Sequence, residues 1–159
     1  EIEFCKNCRE CTKSEGEEGK RSECVIDDDM IEILDKLDAS DVIILSSPIN
    51  FGSVTAVTKK FIERLAVYYK WKMGKVAAPK KRIKNGTKKG VAVSSSTIPA
   101  FLGRIFGAGM FSMMKDALKA IGAKDTEVFY IGMIKSSVTP ELPEKQLNRA
   151  YKKGENLVI

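Results

Sequence analysis

Four cysteines are the side chains of this sequence best suited to chemistry, and all fall within the first 24 residues, at Cys5, Cys8, Cys11 and Cys24. Cys-x2-Cys-x2-Cys spacing in a reducing compartment favours metal or cluster ligation over disulfides, because thiols there stay reduced. Three such thiolates can bind one face of a 4Fe–4S cluster, with the fourth supplied from further along the chain. Zinc sites more often use two separated Cys-x2-Cys pairs. A cluster is therefore favoured over the two alternatives, a zinc ion or ligand-free thiols.

Histidine is absent from the sequence. This excludes Ser-His-Asp and Cys-His nucleophiles, His-containing zinc sites and the usual acid/base group at neutral pH. Ordinary hydrolase chemistry is thus disfavoured, and we assign no catalytic side chain. If the protein is an enzyme, a cofactor carries the reaction and the polypeptide binds, orients and tunes it.

Charge is distributed unevenly along the chain, which carries a formal net charge of +6. Residues 1–41 hold 14 acidic and 6 basic side chains, and residues 59–89 form a basic stretch whose only acid is Glu63. Such a stretch attracts anionic partners, such as a phosphorylated cofactor or nucleic acid. A solvated lysine-rich helix and loop is the favoured interpretation, because few aromatic residues interleave with the charge. Nucleic acid is therefore not an expected partner.

The apolar runs are short, and the run at residues 42–45 is typical. A membrane-spanning helix needs roughly 18 to 20 apolar residues, so we predict no membrane segment. No basic-then-apolar leader is visible either, which favours a cytoplasmic protein. With 43% hydrophobic and 30% charged residues, the composition is that of a globular chain.

Hydrophobic periodicity predicts alternating helices and strands. The predicted helices cover residues 28–39, 54–72, 110–121 and 140–155, and the predicted strands cover residues 42–45, 90–93 and 128–133. Residues 73–89 read as a long loop with an Asn-Gly turn signal. This alternation predicts an α/β fold with a doubly wound parallel sheet, in a single domain over residues 1–159.

Ligands of such sheets bind beyond the carboxyl ends of the strands. This rule nominates three loops, at residues 46–54, 94–104 and 135–139. A proline-initiated turn containing glycine, as at residues 48–52, lets a ligand approach the backbone closely.

The tract Ser-Pro-Ile-Asn-Phe-Gly-Ser-Val-Thr-Ala at residues 47–56 resembles the flavodoxin-like flavoproteins, notably the NAD(P)H-dependent FMN reductases and, among them, the iron–sulfur flavoproteins. Cys-Val-Ile-Asp-Asp-Asp-Met at residues 24–30 resembles a second motif of that family. The resemblance implies FMN and two ring-contacting loops. The first comprises Ser47, Pro48, Ile49, Asn50, Phe51, Gly52 and Ser53, and the second Ser94, Ser95, Ser96 and Thr97.

Three departures from the family pattern matter. Asn50 stands where the family usually has tyrosine, which removes a stacking surface from the flavin loop. Twelve residues separate Cys11 from Cys24, a longer gap than in the iron–sulfur flavoproteins. The cysteine-bearing segment, residues 1–27, also stands without the family's first strand-helix unit and its FMN phosphate loop. We therefore expect an N-terminal extension of roughly 40 residues.

The function expected from the resemblance is an FMN-dependent oxidoreductase, with a 4Fe–4S cluster, that passes electrons from NAD(P)H or a reduced carrier to an acceptor. The resemblance also implies a homodimer or homotetramer. One alternative is a zinc-stapled basic module that binds nucleic acid, which leaves the 47–56 tract unexplained. Another is a flavodoxin-like interaction domain without flavin.

Overall fold

The computed structural model describes residues 1–13, 19–72, 74, 76–134 and 141–158. The helices are α1 (Glu10–Lys13), α2 (Met30–Ala39), α3 (Ala56–Arg64), α4 (Ala100–Phe106), α5 (Ala108–Ala120) and α6 (Glu144–Val158). The strands are β1 (Val42–Ser46), β2 (Tyr69–Lys70), β3 (Lys80–Lys81), β4 (Lys88–Ser95) and β5 (Ala123–Ile131).

A parallel sheet forms the centre of the fold. Its strand order is β1-β4-β5, so that β4 pairs on both sides. Both β1 and β4 are rich in β-branched and small apolar residues, which suits strands covered on two faces. Because all three strands run in the same direction, their carboxyl ends lie at one edge of the sheet. The predicted parallel α/β sheet is confirmed.

Helices contact both faces of this sheet. On one face α5 buries Met110, Met114 and Leu118 completely, and the ring of Phe111 meets that of Tyr130 edge-on at a centroid distance of 5.5 Å. On the other face the guanidinium of Arg149, in α6, lies 5.4 Å from the ring centroid of Phe129. Consecutive residues of a strand point to opposite faces, so these contacts place α5 and α6 on opposite sides.

The helix predicted over residues 54–72 is too long. It ends at Arg64, continues as a 3-10 turn over Leu65–Tyr68, and gives way to β2, which pairs antiparallel with β3. The Trp71 N–H donates to the Thr12 carbonyl at 3.0 Å instead of continuing a helix. A partner far along the sequence therefore ends this helix. The predicted loop over residues 73–89 contains β3, because these residues pair with β2.

The strands extend beyond their predicted limits. The sequence places Ser94 and Ser95 in a loop, and this prediction is wrong because β4 continues through the pair Ser95↔Ile131. Strand β5 begins at Ala123, five residues before its predicted start at residue 128. After the buried Ala123, residues 124–127 are polar and mostly exposed, and an apolar-run criterion passes over them.

Helix α4 begins within the predicted loop over residues 94–104, ends at Phe106 and is absent from the prediction. Pro99 occupies its N-cap position, and proline is well tolerated at a helix start. The helices predicted at residues 28–39 and 110–121 are confirmed within two residues. The terminal helix begins at Glu144 rather than residue 140.

One edge of the sheet is formed by β1, which pairs with β4 alone among the residues that the structure describes. The side chain of Ile44 on this strand is 61% exposed. The N-terminal strand-helix unit expected from the sequence stays a prediction. None of the described helices is long and apolar enough to cross a bilayer.

Candidate functional site

All four cysteines line one cavity of about 220 Å³, although twelve residues separate the last two along the chain. Ile26, Tyr69 and Trp71 contribute the apolar part of its wall, and Lys6 and Arg9 contribute basic side chains. Cys8 is exposed, whereas Cys5, Cys11 and Cys24 are half-buried. The structure thus brings together the four thiols that the sequence selects.

The loop between Cys5 and Cys11 is curled by its backbone. Asn7 and Arg9 have φ values of 51° and 63°, in the left-handed region that non-glycine residues seldom adopt. The Arg9 guanidinium lies 5.1 Å from the centroid of the Trp71 ring, which attaches this loop to the segment that follows α3.

The carbonyl of Cys11 is held by two donors from distant parts of the chain. It accepts from Nη2 of the buried Arg82 at 3.2 Å and from the Ser22 hydroxyl at 2.5 Å. The Ser22 N–H donates in turn to the Val67 carbonyl at 2.9 Å. These bonds fasten the cysteine segment to the turn after α3 and to the residues after β3.

A buried ion pair joins α3 to the start of α2. Arg64 Nη1 and Nη2 donate to the two carboxylate oxygens of Asp28 at 2.6 and 3.0 Å, and their side chains are 1% and 6% exposed. Asp28 also accepts from the Met30 N–H at 3.0 Å and from the Glu3 N–H at 2.6 Å. The hydrogen bonds from Arg64, above all, lower the pKa of Asp28 to about 2. Asp28 is therefore a carboxylate at any physiological pH.

Burial, followed by the charges of the other three cysteines, raises the pKa of Cys11 to about 11. Four thiolates confined to one cavity repel each other, so the set favours a cation that neutralises them. No three His, Cys, Asp or Glu side chains among the described residues are grouped closely enough to hold a single metal ion. A cluster with one thiolate per iron demands a wider spacing than a tetrahedral zinc ion does. Four convergent thiols are donors of the kind that a 4Fe–4S cluster uses.

The loop after β1 is a tight turn. The Asn50 N–H donates to the Ser53 carbonyl at 2.8 Å, and the Ser53 N–H donates back to the Asn50 carbonyl at 3.0 Å. Phe51 and Gly52 between them have φ values of 49° and 73°. The ring of Phe51 is fully exposed. This turn presents an aromatic ring and a glycine to the outside, as flavin contact requires.

One serine at residues 47–53, the first loop expected to contact the flavin ring, can be assigned a structural role. Ser47 is buried, and its hydroxyl accepts from the Thr55 N–H at 3.1 Å, which closes the loop onto α3. Thr55 is the N-cap of α3, and its hydroxyl accepts from the Thr58 N–H at 3.3 Å. Pro48 and Asn50 are exposed, and Ile49 is half-buried.

Residues 94–97, at the end of β4 and just after it, lie beside the 47–53 turn at the carboxyl edge of the sheet. The Ser47 N–H donates to the Val93 carbonyl at 3.0 Å, which puts Ser94 next to the first loop. Ser94 is buried, and its hydroxyl has no hydrogen-bond partner among the described residues. The hydroxyls of Ser96 and Tyr130 share a hydrogen bond. Thr97 is exposed. Of the three nominated loops, the structure joins the first two, and residues 135–139 lie outside the described residues.

The two candidate sites are distinct. The 47–53 turn lies just before the first residue of α3. The cysteine cavity lies just beyond the last residue of this helix, where Ala66 and Tyr69 line it. A helix of nine residues spans about 14 Å, so roughly this length of α3 separates them. One rigid element positions both.

The profile of a family described as having a flavodoxin-like fold matches residues 5–154 of the chain. The chain belongs to this flavodoxin-like fold family. The family predicted from the 47–56 tract is therefore confirmed. An iron–sulfur flavoprotein of Methanocaldococcus jannaschii is 44% identical over 64 residues, which cover 40% of this chain and 30% of that protein. The matched stretches span only 27% to 30% of the curated relatives' own lengths.

Solved structures share the flavodoxin-like fold. An NAD(P)H:quinone oxidoreductase from Methanothermobacter marburgensis superimposes with a TM-score of 0.60 at 22% identity, over 81% of this chain and 64% of that chain. An FMN-dependent NADH-azoreductase from Bacillus anthracis, in complex with FMN, superimposes with a TM-score of 0.56 at 14% identity, over 80% and 58%. At these identities the likeness is one of fold.

Sequence reasoning misses the two buried arginines of this flavodoxin-like chain. Arg64 lies three residues after Phe61 and seven after Val57, on the stripe that periodicity marks as apolar. A charged residue on such a stripe signals a buried ion pair, and Asp28 is its partner. Arg82 carries no comparable signal, because it lies in a run of lysines.

Several residues of the basic 59–89 stretch serve the fold. Lys88 Nζ donates to two carbonyls at the end of α2, at 2.7 and 2.5 Å. Lys89 Nζ donates to two carbonyls in the last turn of α6, at 3.2 and 3.3 Å. Arg64 and Arg82 are buried. These contacts favour the structural interpretation of the basic charge over a nucleic-acid surface.

Proposed function

We propose that this protein is an FMN-dependent oxidoreductase that also carries a 4Fe–4S cluster and passes electrons from NAD(P)H or a reduced carrier to an acceptor. The observation that carries the proposal is the position of the 47–53 turn, at the carboxyl edge of a flavodoxin-like sheet and beside the 94–97 loop. Ligands of open parallel sheets bind at this edge. The FMN-containing azoreductase of the same fold supports the choice of flavin.

The residues proposed to hold the flavin ring are those that the turn presents. Phe51 supplies an exposed aromatic face, and Gly52 removes the side chain that would keep the backbone from the ring. Asn50 adds an amide able to hydrogen-bond a polar edge of the ring. The unpartnered hydroxyl of Ser94 marks a buried polar group near the same edge. When bound, FMN accepts a hydride and releases electrons one or two at a time.

The four cysteines are proposed as the ligands of the cluster, which when bound carries single electrons. Their cavity is apolar, and this limits the access of water to the thiolates. Lys6 and Arg9 at the cavity offset part of the negative charge. The iron–sulfur flavoprotein relative supports this assignment.

The remaining parts of the proposal concern partners and assembly. NAD(P)H is proposed as the electron donor because a structure of the same fold is that of an NAD(P)H:quinone oxidoreductase. A homodimer or homotetramer is proposed from the family resemblance, and the cytoplasmic location expected from the sequence stays a proposal. Residues 1–159 are proposed as one flavodoxin-like domain.

Full-length protein purified without oxygen tests the proposal by its flavin, iron and sulfide contents and its visible absorption. We expect both cofactors, and bleaching of the flavin bands by NADH or NADPH. In a Cys8→Ala variant the broad cluster absorption should disappear while the flavin bands remain, because Cys8 lies outside the flavin loop. Val25→Ala, at an exposed position in the same cavity, is the matched control and should keep the cluster.

Each part of the proposal can fail separately. Protein that neither contains nor binds FMN would refute the oxidoreductase assignment. Full iron and sulfide content in Cys8→Ala protein would refute the ligand set. Zinc with no iron would favour the stapled-module alternative.

A further inference from the structure

A buried arginine joins the two ends of the cysteine segment. Arg64 is 2% exposed, and its Nη1 donates to the carbonyl of Glu3, two residues before Cys5, at 2.9 Å. The same guanidinium forms its paired hydrogen bonds with Asp28, four residues after Cys24. Both flanks of the four-cysteine set are thus tied to one side chain of α3.

One donor of this guanidinium is left over. Arg64 Nε is buried and has no hydrogen-bond partner among the described residues. A buried N–H without an acceptor is costly, and such groups are rare in native proteins. Cys24, four residues before Asp28, belongs to the surroundings of this guanidinium, and its charge and hydrogen bonding contribute, after the hydrogen bonds to Asp28, to raising the pKa of Arg64. A sulfur atom is therefore the neighbouring group that Nε could serve.

We propose that Arg64 is a positioning residue of the cysteine site, whose Nε–H donates to the Cys24 sulfur when that sulfur is a cluster ligand. This inference rests on the proposed function. A thiolate ligand accepts hydrogen bonds that a neutral thiol accepts only weakly. Hydrogen bonds to ligand sulfur and positive charge nearby stabilise the more negative, reduced cluster. Arg64 therefore raises the reduction potential of the cluster and slows its loss.

The test compares two buried arginines that each donate to a carbonyl of the cysteine segment, in full-length protein purified without oxygen. Arg64→Lys keeps the positive charge and removes Nε. Arg82→Lys is the matched control, because Arg82 Nη2 donates to the Cys11 carbonyl rather than to a sulfur atom. The readouts are the midpoint potential of the cluster, from a spectroscopic redox titration, and the rate of iron release to a chelator. Neither depends on turnover.

We expect Arg64→Lys to lower the midpoint potential and to release iron about tenfold faster, as is usual when a partner of a metal ligand is removed. Arg82→Lys should leave the potential at its wild-type value. Asp28→Asn provides a second variant with the opposite sign. It leaves the positive charge of Arg64 without its counter-ion, so the midpoint potential should rise. This variant decides the matter if Arg64→Lys protein does not fold.

Three outcomes overturn the inference. The first is an unchanged midpoint potential in Arg64→Lys protein that retains its cluster. The second is an equal shift of the midpoint potential in both lysine variants. A lowered potential in the Asp28→Asn variant is equally incompatible with it. These results leave the proposed function standing. Wild-type protein without iron and sulfide overturns the proposed cluster together with this inference.

Discussion

Phe51 has an unfavourable backbone conformation, and burial of its side chain does not offset the conformational free energy. Its φ of 49° lies in the left-handed region, and its side chain is fully exposed. Together with Gly52 it forms a turn with two consecutive left-handed residues, the pattern in which Asn-Gly is preferred. Replacing Phe51 with Asn should keep the two hydrogen bonds between Asn50 and Ser53, because both are made by backbone atoms.

The expected effect on stability can be worked from these observations. The left-handed conformation costs a bulky residue about 1 to 2 kcal/mol, and asparagine less. A fully exposed ring loses no burial when it is removed, so Phe51→Asn should raise the free energy of unfolding by about 0.5 to 1 kcal/mol. For a chain of this size, that raises Tm by about 1 to 4 °C. Denaturant unfolding of flavin-free protein measures it.

FMN affinity should change in the opposite direction. An aromatic contact with the flavin ring contributes about 0.5 to 1.5 kcal/mol, so its loss should weaken FMN binding by about two- to tenfold. Fluorescence titration of full-length protein with FMN measures this. Val76→Asn is the control, since Val76 is also fully exposed but has an ordinary backbone conformation. Destabilisation by Phe51→Asn would refute the strain argument, and unaltered FMN affinity would remove Phe51 from the proposed flavin site.

Two further predictions test the packing around the sites. Because Asp28 has its pKa lowered from 3.8 to about 2 in the folded state, its contribution to stability is complete above pH 4 and is lost as the pH falls through about 2. The loss, on the order of 2 kcal/mol, should appear in acid unfolding of wild-type protein and be absent from Asp28→Asn; identical acid sensitivity would contradict it. A Cβ on Gly103 would lie 1.8 Å from the Tyr130 hydroxyl, whereas one on Gly109 meets no atom within 4 Å. Gly103→Ala should therefore lower the free energy of unfolding by about 1 to 3 kcal/mol, and Gly109→Ala should raise it by about 0.5 to 1 kcal/mol; equal effects in denaturant unfolding would argue against the close approach at Gly103.

Hydrophobic periodicity was sufficient to predict the helices and strands that bury a regular stripe of apolar side chains. Met110, Met114 and Leu118 recur at helical spacing, and all three are buried in α5 as predicted. The β-branched run at residues 42–45 is β1. In both cases local spacing alone decides which side chains can share a face, so the pattern carries the structure.

Local patterns could not determine where α3 ends or where β5 begins. The chain leaves the helix after Arg64 because later residues form tertiary hydrogen bonds, such as that from the Trp71 N–H to the Thr12 carbonyl. The polar start of β5 is a strand because β4 offers its backbone groups for pairing. Neither cause is visible in a window of neighbouring residues, since the partner lies far away in the sequence.

The sequence by itself determined which atoms could do chemistry here: four thiols within 24 residues, no imidazole, and a turn-forming Ser-Pro-Ile-Asn-Phe-Gly-Ser tract. Only the tertiary structure decided that Cys24 joins the other three thiols in one cavity. The buried pair of Arg64 and Asp28, 36 residues apart, ties both flanks of the cysteine segment to α3. Removing both charges from water is favourable only when each finds the other, and that depends on how distant parts of the chain pack.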